Sequence, residues 1–219
     1  MHAAAEHAAL TRGRCVYVDL DSRLQPFALP RMVHALLAAR DGAAPSIGAV
    51  NAALQRVRVV RPRTQLQLLA DLELARAWLS FDAPPATPAC NADAGGLVLW
   101  DSSGAWYWLE RGLDAATKEA AGLATTRALH GLLEAAGAAA LVAKPHLVFQ
   151  AGGLPREYAP PAWQRLVACR IELAPGGGPG GDLPTARILH PPQGPGGAGW
   201  PVVQWGLEPG DGRLVQYKH

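Results

Sequence analysis

Three aspartates stand where a parallel sheet would place its chemistry. "CVYVDLD" closes an apolar run with Asp19 and Asp21, and "LVLWDSS" closes another with Asp101, followed by Ser102. A carboxylate at the carboxyl end of an apolar strand can hold Mg²⁺, directly or through water, beside the phosphates of a nucleotide. The same residue type also caps helices and closes turns, because its oxygens accept from backbone N–H groups. Two acid-tipped strands in one chain favour the first use. The phosphate cradle such a site needs is GxxxxGK followed by Ser or Thr, which presents backbone N–H groups and a lysine to the phosphates. That motif is absent from the chain, whose first lysine is Lys118. Proficient nucleotide hydrolysis is therefore not expected from this chain alone.

Other chemistries have less to stand on. There is no GxSxG and no HExxH, and the seven histidines form no ligand pair at helical spacing. His34 and His130 fall in helical stretches and read as surface or boundary residues. Cys15, Cys90 and Cys169 are widely spaced and match no zinc pattern. Cys15 and Cys169 lie in apolar runs and read as buried free thiols. Just past Asp101, Trp106, Tyr107 and Trp108 arrive together. Such a cluster packs in a core or a partner interface, or else stacks on bases.

The elements that must position these residues follow a strand–helix alternation. A helix over Ala3 to Thr11 precedes a strand from Cys15 to Leu20, and a second helix runs from Pro30 to Arg40. A Gly/Pro/Ala linker reaches Gly48, and "RVRVV" (Arg56 to Val60) forms the next strand. "TQLQLLADLELARAWLS" repeats Leu66, Leu69, Leu72, Leu74, Ala75 and Leu79 near the helical period, with Thr64 as N-cap. A polar loop (Asp82 to Gly95) leads into the strand ending at Asp101, then a helix (Asp114 to Ala136) and a strand (Ala138 to Ala143). Near-continuous apolar strands separated by helices indicate a parallel sheet covered on both faces. Beyond Gln150 only short strand candidates remain, at Leu166 to Leu173, Ala186 to Leu189 and Val202 to Leu207. Flexible Gly/Pro-rich loops near residues 174–184 and 191–200 separate them. The expected fold is thus α/β, a largely parallel sheet flanked by helices with an antiparallel β C-terminal part, in one domain spanning 1–219.

Composition bounds the setting. The chain has 219 residues, 49% hydrophobic and 17% charged, which suits a soluble globular domain. A formal charge of +2 does not announce a nucleic-acid binder, and a local basic patch stays open. The N-terminal "MHAAAEHAALTRGR" is too polar for a signal peptide, and no apolar run reaches the roughly 18 residues of a membrane span. A nuclear or cytosolic location is expected.

Taken together, these residues resemble the RecA-like recombinase paralogues of eukaryotes. "LVLWDSSGAWYWLER" carries the likeness through the Asp-Ser after the strand and the Tyr107–Trp108 pair before Glu110–Arg111. "AWQRLVACR" (Ala162 to Arg170) carries it through Trp163 and Arg170, and "VDLD" through its paired acids. The resemblance covers roughly Cys15 to Leu173 and implies a RecA-like core.

On that resemblance Asp101, Ser102 and Asp21 are the remnant of a nucleotide and Mg²⁺ site, with no catalytic residue and no dedicated metal ligand set. Asp21 stands where active members place a water-activating glutamate, and is one methylene shorter. His146 falls near the family's polar sensor, and Gln150 comes later. The strand, P-loop and helix that open the family's core are expected to be missing, residues 1–14 matching only the end of that helix. ATP and Mg²⁺ are then implied only if missing sequence or a partner supplies the P-loop. Gln150 and Arg156 are the DNA-binding candidates of the loop over Gln150 to Pro161, where a single cation promises weak phosphate neutralisation. Trp106, Tyr107, Trp108, Trp163 and Arg170 are interface or family-signature residues. The implied role is a nuclear subunit, without membrane association, in homologous-recombination repair of DNA breaks. It would assemble with other recombinase paralogues and aid recombinase loading on single-stranded DNA, touching single-stranded or branched DNA weakly and with little or no ATPase.

A rival comes from another class. "YVDLDS" is similar to the opening motif of haloacid-dehalogenase-type phosphohydrolases, with Asp19 as nucleophile, Asp21 as general acid and Lys144 neutralising the phosphate. The further acids expected to hold Mg²⁺ reduce to Asp182.

Overall fold

The computed structural model describes residues 1–11, 13–80, 95–106, 112–144, 160–174, 185–189, 202–207 and 214–216, which form two compact units, Met1–Pro160 and Pro161–His219. In the first unit the apolar runs become four parallel strands: β1 (Cys15–Asp19), β2 (Val57–Val60), β3 (Leu97–Asp101) and β4 (Ala139–Val142). Their order is β2-β1-β3-β4. Cys15 pairs with both Val57 and Leu97, and Leu97 with Ala139. β1 is buried at all five positions, as a central strand covered on both faces must be.

Strand alternation divides the core between the two faces of the sheet. Cys15, Tyr17 and Leu99 share one face and pack with Ala4, Ala5, Leu29, Val33, Val50 and Ala53. Those residues come from α1 (His2–Glu6), α2 (Ala28–Asp41) and α3 (Ile47–Leu54), and a π-helical turn over His7–Thr11 follows α1 directly. Val16, Val18, Val98 and Trp100 point the other way and are also buried. On that side α4 (Gln65–Ser80) packs against α5 (Ala115–Ala136). A Cβ on Gly96 would lie 3.3 Å from a Leu79 methyl, which sets α4 against the start of β3.

Local signals explain the boundaries. Thr64 accepts from the Gln67 N–H at 3.1 Å and opens α4. Asp114 accepts from the Thr117 N–H at 2.9 Å and opens α5, and those Thr117 contacts hold its carboxyl below the usual range. Gly137 closes α5 at φ 55, a conformation that favours glycine. The linker read as far as Gly48 ends earlier, because Ile47–Leu54 forms α3, capped by Ser46, whose side chain accepts from the Ala49 N–H at 3.2 Å. Its Ala/Gly-rich sequence hid the helix, although Pro45–Ser46 is a start signal.

The apolar stripe of α4 also differs from the expected one. Leu68, Leu72, Ala75 and Leu79 face the core, whereas Leu66 is 78% exposed and Leu74 55% exposed. Spacings of 4, 3 and 4 keep the buried set on one side of the helix. Cys15 is buried, and burial pushes its thiol up to about 12. Cys169 is exposed rather than buried, because it lies in the short turn before a strand and not within one. Cys90 lies outside the described residues.

The second unit contains α6 (Pro161–Leu166) and four antiparallel strands in chain order, β5 (Arg170–Ala174), β6 (Thr185–Leu189), β7 (Val202–Leu207) and β8 (Leu214–Gln216). Arg170 pairs with Leu189, Thr185 with Gly206 and Trp205 with Gln216. The strand expected from Leu166 starts later, since "PAWQRL" forms a helical turn and a half. β8 has three residues, too few for a periodicity to register. The Gly/Pro-rich loops expected near 174–184 and 191–200 lie, Ala174 apart, outside the described residues.

Two consequences are measurable. Leu72→Ala should lower unfolding stability in urea by about 2–5 kcal/mol, and Leu74→Ala by no more than about 0.5 kcal/mol; similar losses would refute the assigned stripe. Burial lowers the His7 imidazole below its usual value, and the nearby Gly95 and Arg14 backbones oppose this only in part. Folding therefore favours the neutral ring. The stability this contributes is present above about pH 6.5 and is lost as pH falls toward the folded-state value. The urea midpoint should drop between about pH 7 and pH 5.5 in the wild type and flatten in His7→Gln. Parallel pH profiles for the two proteins would contradict this role.

Candidate functional site

The site lies at the carboxyl ends of β1 and β3, where the register sets Asp19 opposite Asp101. The two carboxylates meet different fates. Asp19 is 1% exposed, and a carboxylate buried that deeply must be paired and hydrogen-bonded. Its Oδ1 accepts from the Arg23 N–H at 2.9 Å. Its Oδ2 accepts from the Leu24 N–H at 3.2 Å and from Arg61 Nε at 2.8 Å. Arg61 then donates through Nη2 to the Leu24 carbonyl at 2.8 Å. Asp19 thus holds the turn after β1 in shape and ties it to the residue just past β2. Both its oxygens are engaged and its side chain is shut off from solvent, an environment that suits a structural ion pair better than the nucleophile of the phosphohydrolase reading.

Asp101 is half-buried, and its Oδ2 accepts from the Tyr17 hydroxyl at 2.7 Å. Burial first, and the Asp101 carboxylate second, push the Tyr17 phenol well above its ordinary value, so it stays a donor. No partner for Oδ1 of Asp101 is present among the described residues. The turn after β3 is anchored on both sides: the Leu20 N–H donates to the Asp101 carbonyl at 2.8 Å, and the Ser103 N–H to the Ala143 carbonyl at 2.9 Å. The Asp101–Ser102 peptide is cis, and Ser102 is buried.

Of the residues singled out in the sequence, Asp101 and Ser102 are contiguous at the tip of β3. Asp21 lies on the loop after β1, which the Leu20–Asp101 bond draws against that tip. Its Oδ2 is 3.7 Å from Arg23 Nε. Trp106 is half-buried in the turn that follows β3, and Trp163 is half-buried in α6. Arg170 opens β5. Lys144 follows β4 and is half-buried. Tyr107, Trp108, His146, Gln150, Arg156 and Asp182 lie outside the described residues. His34 and His130 are exposed, as expected, and His130 Nδ1 is 3.4 Å from Glu134.

Two functional residues were not singled out from the sequence, Tyr17 and Arg61. Tyr17 had a readable signal, a hydroxyl-bearing ring in an otherwise aliphatic strand, which when buried needs a partner. Arg61 had none, because only the strand register reveals which acid it meets.

Among the described residues no cluster of three or more His, Cys, Asp or Glu side chains could hold a metal ion. A Mg²⁺–nucleotide group therefore fits these residues only in part: Asp101 has one oxygen to offer, and no phosphate-binding loop accompanies it. Nor is any helix among the described residues long and apolar enough to cross a membrane.

A parallel sheet in this order between two helical layers, with an aspartate at the tip of β3, is a doubly wound α/β arrangement. The chain is similar to a solved recombinase, described as the crystal structure of the RadB recombinase, with a TM-score of 0.57 at 15% identity. The likeness covers 94% of this chain and 81% of that one, and it establishes the fold. No protein-family model matches the chain, and no curated protein does.

If Asp19 and Arg61 form one unit, their substitutions will not add. Asp19→Asn and Arg61→Ala should each cost about 1–3 kcal/mol in chemical denaturation, and the double variant should cost less than their sum by about 1 kcal/mol. Strict additivity would show that the pair is not coupled.

Proposed function

We propose that this chain is a recombinase-paralogue subunit acting in homologous-recombination repair of DNA breaks. It assembles with other recombinase paralogues in the nucleus and aids recombinase loading on single-stranded DNA, with little or no ATP hydrolysis of its own. One observation carries the reading: in a RecA-like sheet, the strand ending at Asp101 continues into "SSGAWYWLER", the stretch that resembles the eukaryotic paralogues. That stretch and "AWQRLVACR" are both similar to those of the small paralogue called X-ray repair cross-complementing protein two.

The residues suit a scaffold better than a motor. Asp101, Asp21 and Ser102 stand as the remnant of a nucleotide site, with Tyr17 fixing one oxygen of Asp101. Bound Mg²⁺–ATP would supply phosphoryl chemistry only where a partner or further sequence brought the phosphate cradle. In that case Asp101 would offer its open oxygen to the metal and Tyr17 would hold the carboxylate in orientation. Trp106, Tyr107, Trp108, Trp163 and Arg170 serve partner contacts. DNA contact falls to Gln150 and Arg156 and is weak, since affinity grows with the number of neutralised phosphates. The phosphohydrolase alternative has no comparable support, because the buried ion pair occupies Asp19.

Affinity purification of the tagged chain from its source cells should recover at least one other recombinase paralogue, and deletion should sensitise cells to DNA crosslinking agents. Recovery of none, together with normal survival, would refute the proposal.

A further inference from the structure

The outer side of α2 bears an open apolar groove far from any use described so far. Pro30, Arg31 and His34 of α2 form one wall, and Pro45, Ile47 and Val50 at the start of α3 form the other, of a shallow groove open to solvent. Ile47, in the lining, is 82% exposed, and Phe27, the N-cap of α2 and outside the lining, is 79% exposed. A single exposed apolar residue needs no explanation, but an exposed isoleucine in an apolar groove lined also by Pro30, Pro45 and Val50 marks an interaction surface.

The groove is a built feature. Leu29, Val33 and Leu37 turn inward at spacings of four and fix which face of α2 remains outside. Gly42, at φ 66, ends α2, and the Ser46 cap starts α3, so the two walls are set by helix ends. Val50 roots the floor in the core.

Charge selects the occupant. No acid lines the groove, and between Ser22 and Ala70 the only acid is Asp41. Asp41 is already engaged by Arg40 through hydrogen bonds of 2.7 and 2.8 Å. Arg31 and His34 have no hydrogen-bond or ion-pair partner among the described residues. An apolar floor with a basic rim complements an acidic segment that carries large apolar side chains. Nucleic acid would satisfy the rim but not the floor, where proline, isoleucine and valine offer bases little to stack on.

We propose that this groove docks an acidic, apolar peptide segment of a partner protein, its apolar anchors on Ile47, Pro30 and Pro45 and a carboxylate on Arg31. The proposal is independent of the repair reading, which assigns partner contacts to other residues, and either can fail without the other.

A random 12-residue peptide library displayed on phage tests it, panned on the full chain with counter-selection on Ile47→Asp. Enriched peptides should carry net negative charge and at least two large apolar residues. A fluorescein-labelled consensus peptide should lose about tenfold in affinity with Ile47→Asp and about fivefold with Arg31→Glu, while Arg31→Lys retains binding. Both sites are exposed, so thermal melts should match the wild type. A basic consensus, no enrichment over the counter-selection, or binding insensitive to Arg31→Glu would overturn the proposal. So would competition by a thymidine 30-mer that itself depends on Ile47, or sedimentation showing a dimer that Ile47→Asp dissociates.

Discussion

The arrangement depends most on one buried carboxylate. Asp19 sits at the carboxyl end of the inner strand β1 with water excluded, so its charge must be answered by the protein. The answer comes from three places at once: two N–H groups of the turn after β1 and the guanidinium that follows β2. Satisfying the charge therefore shapes the loop bearing Asp21 and fixes its height above β1. It also sets the start of α2, since Leu24 is part of the same network and is buried in the same core. The neighbouring strand then places Asp101 beside that loop through the Leu20–Asp101 bond.

This asymmetry between adjacent aspartates is the chemical content of the site. One carboxylate is structural and fully engaged. The other is oriented by a tyrosine on one oxygen, and its second oxygen meets no partner among the described residues. A residue spent on architecture and a residue kept available can be identical in type and occupy equivalent positions on neighbouring strands. The two are alike in sequence and differ in their hydrogen-bond partners.

Much of the first unit was legible because its strands are continuous apolar runs and its longer helices have caps and clean periods. Thr64, Asp114 and the strand ends at Asp19 and Asp101 fall at or within a residue of where local chemistry places them. What escaped has physical causes. The helix from Ile47 to Leu54 is built from residues whose abundance elsewhere in the chain blunts their meaning. The stripe of α4 was blurred by Leu66 and Leu74, which face solvent and add apolar noise to the period. Arg61 was invisible because an ion pair 42 residues apart in sequence is set by register, which no local pattern encodes. The fate of Asp19 was hidden for the same reason.

On the proposed function the chain holds partners rather than turning over nucleotide, since it pairs an oriented aspartate, Asp101, with a sequence that has no GxxxxGK motif. The most direct measurement of that claim is the nucleation rate of recombinase filaments on protein-coated single-stranded DNA, with the purified paralogue assembly added with and without this chain. Nucleation should be faster only when the chain is present, while the chain alone should hydrolyse ATP no faster than background. Equal nucleation with and without it would contradict the account.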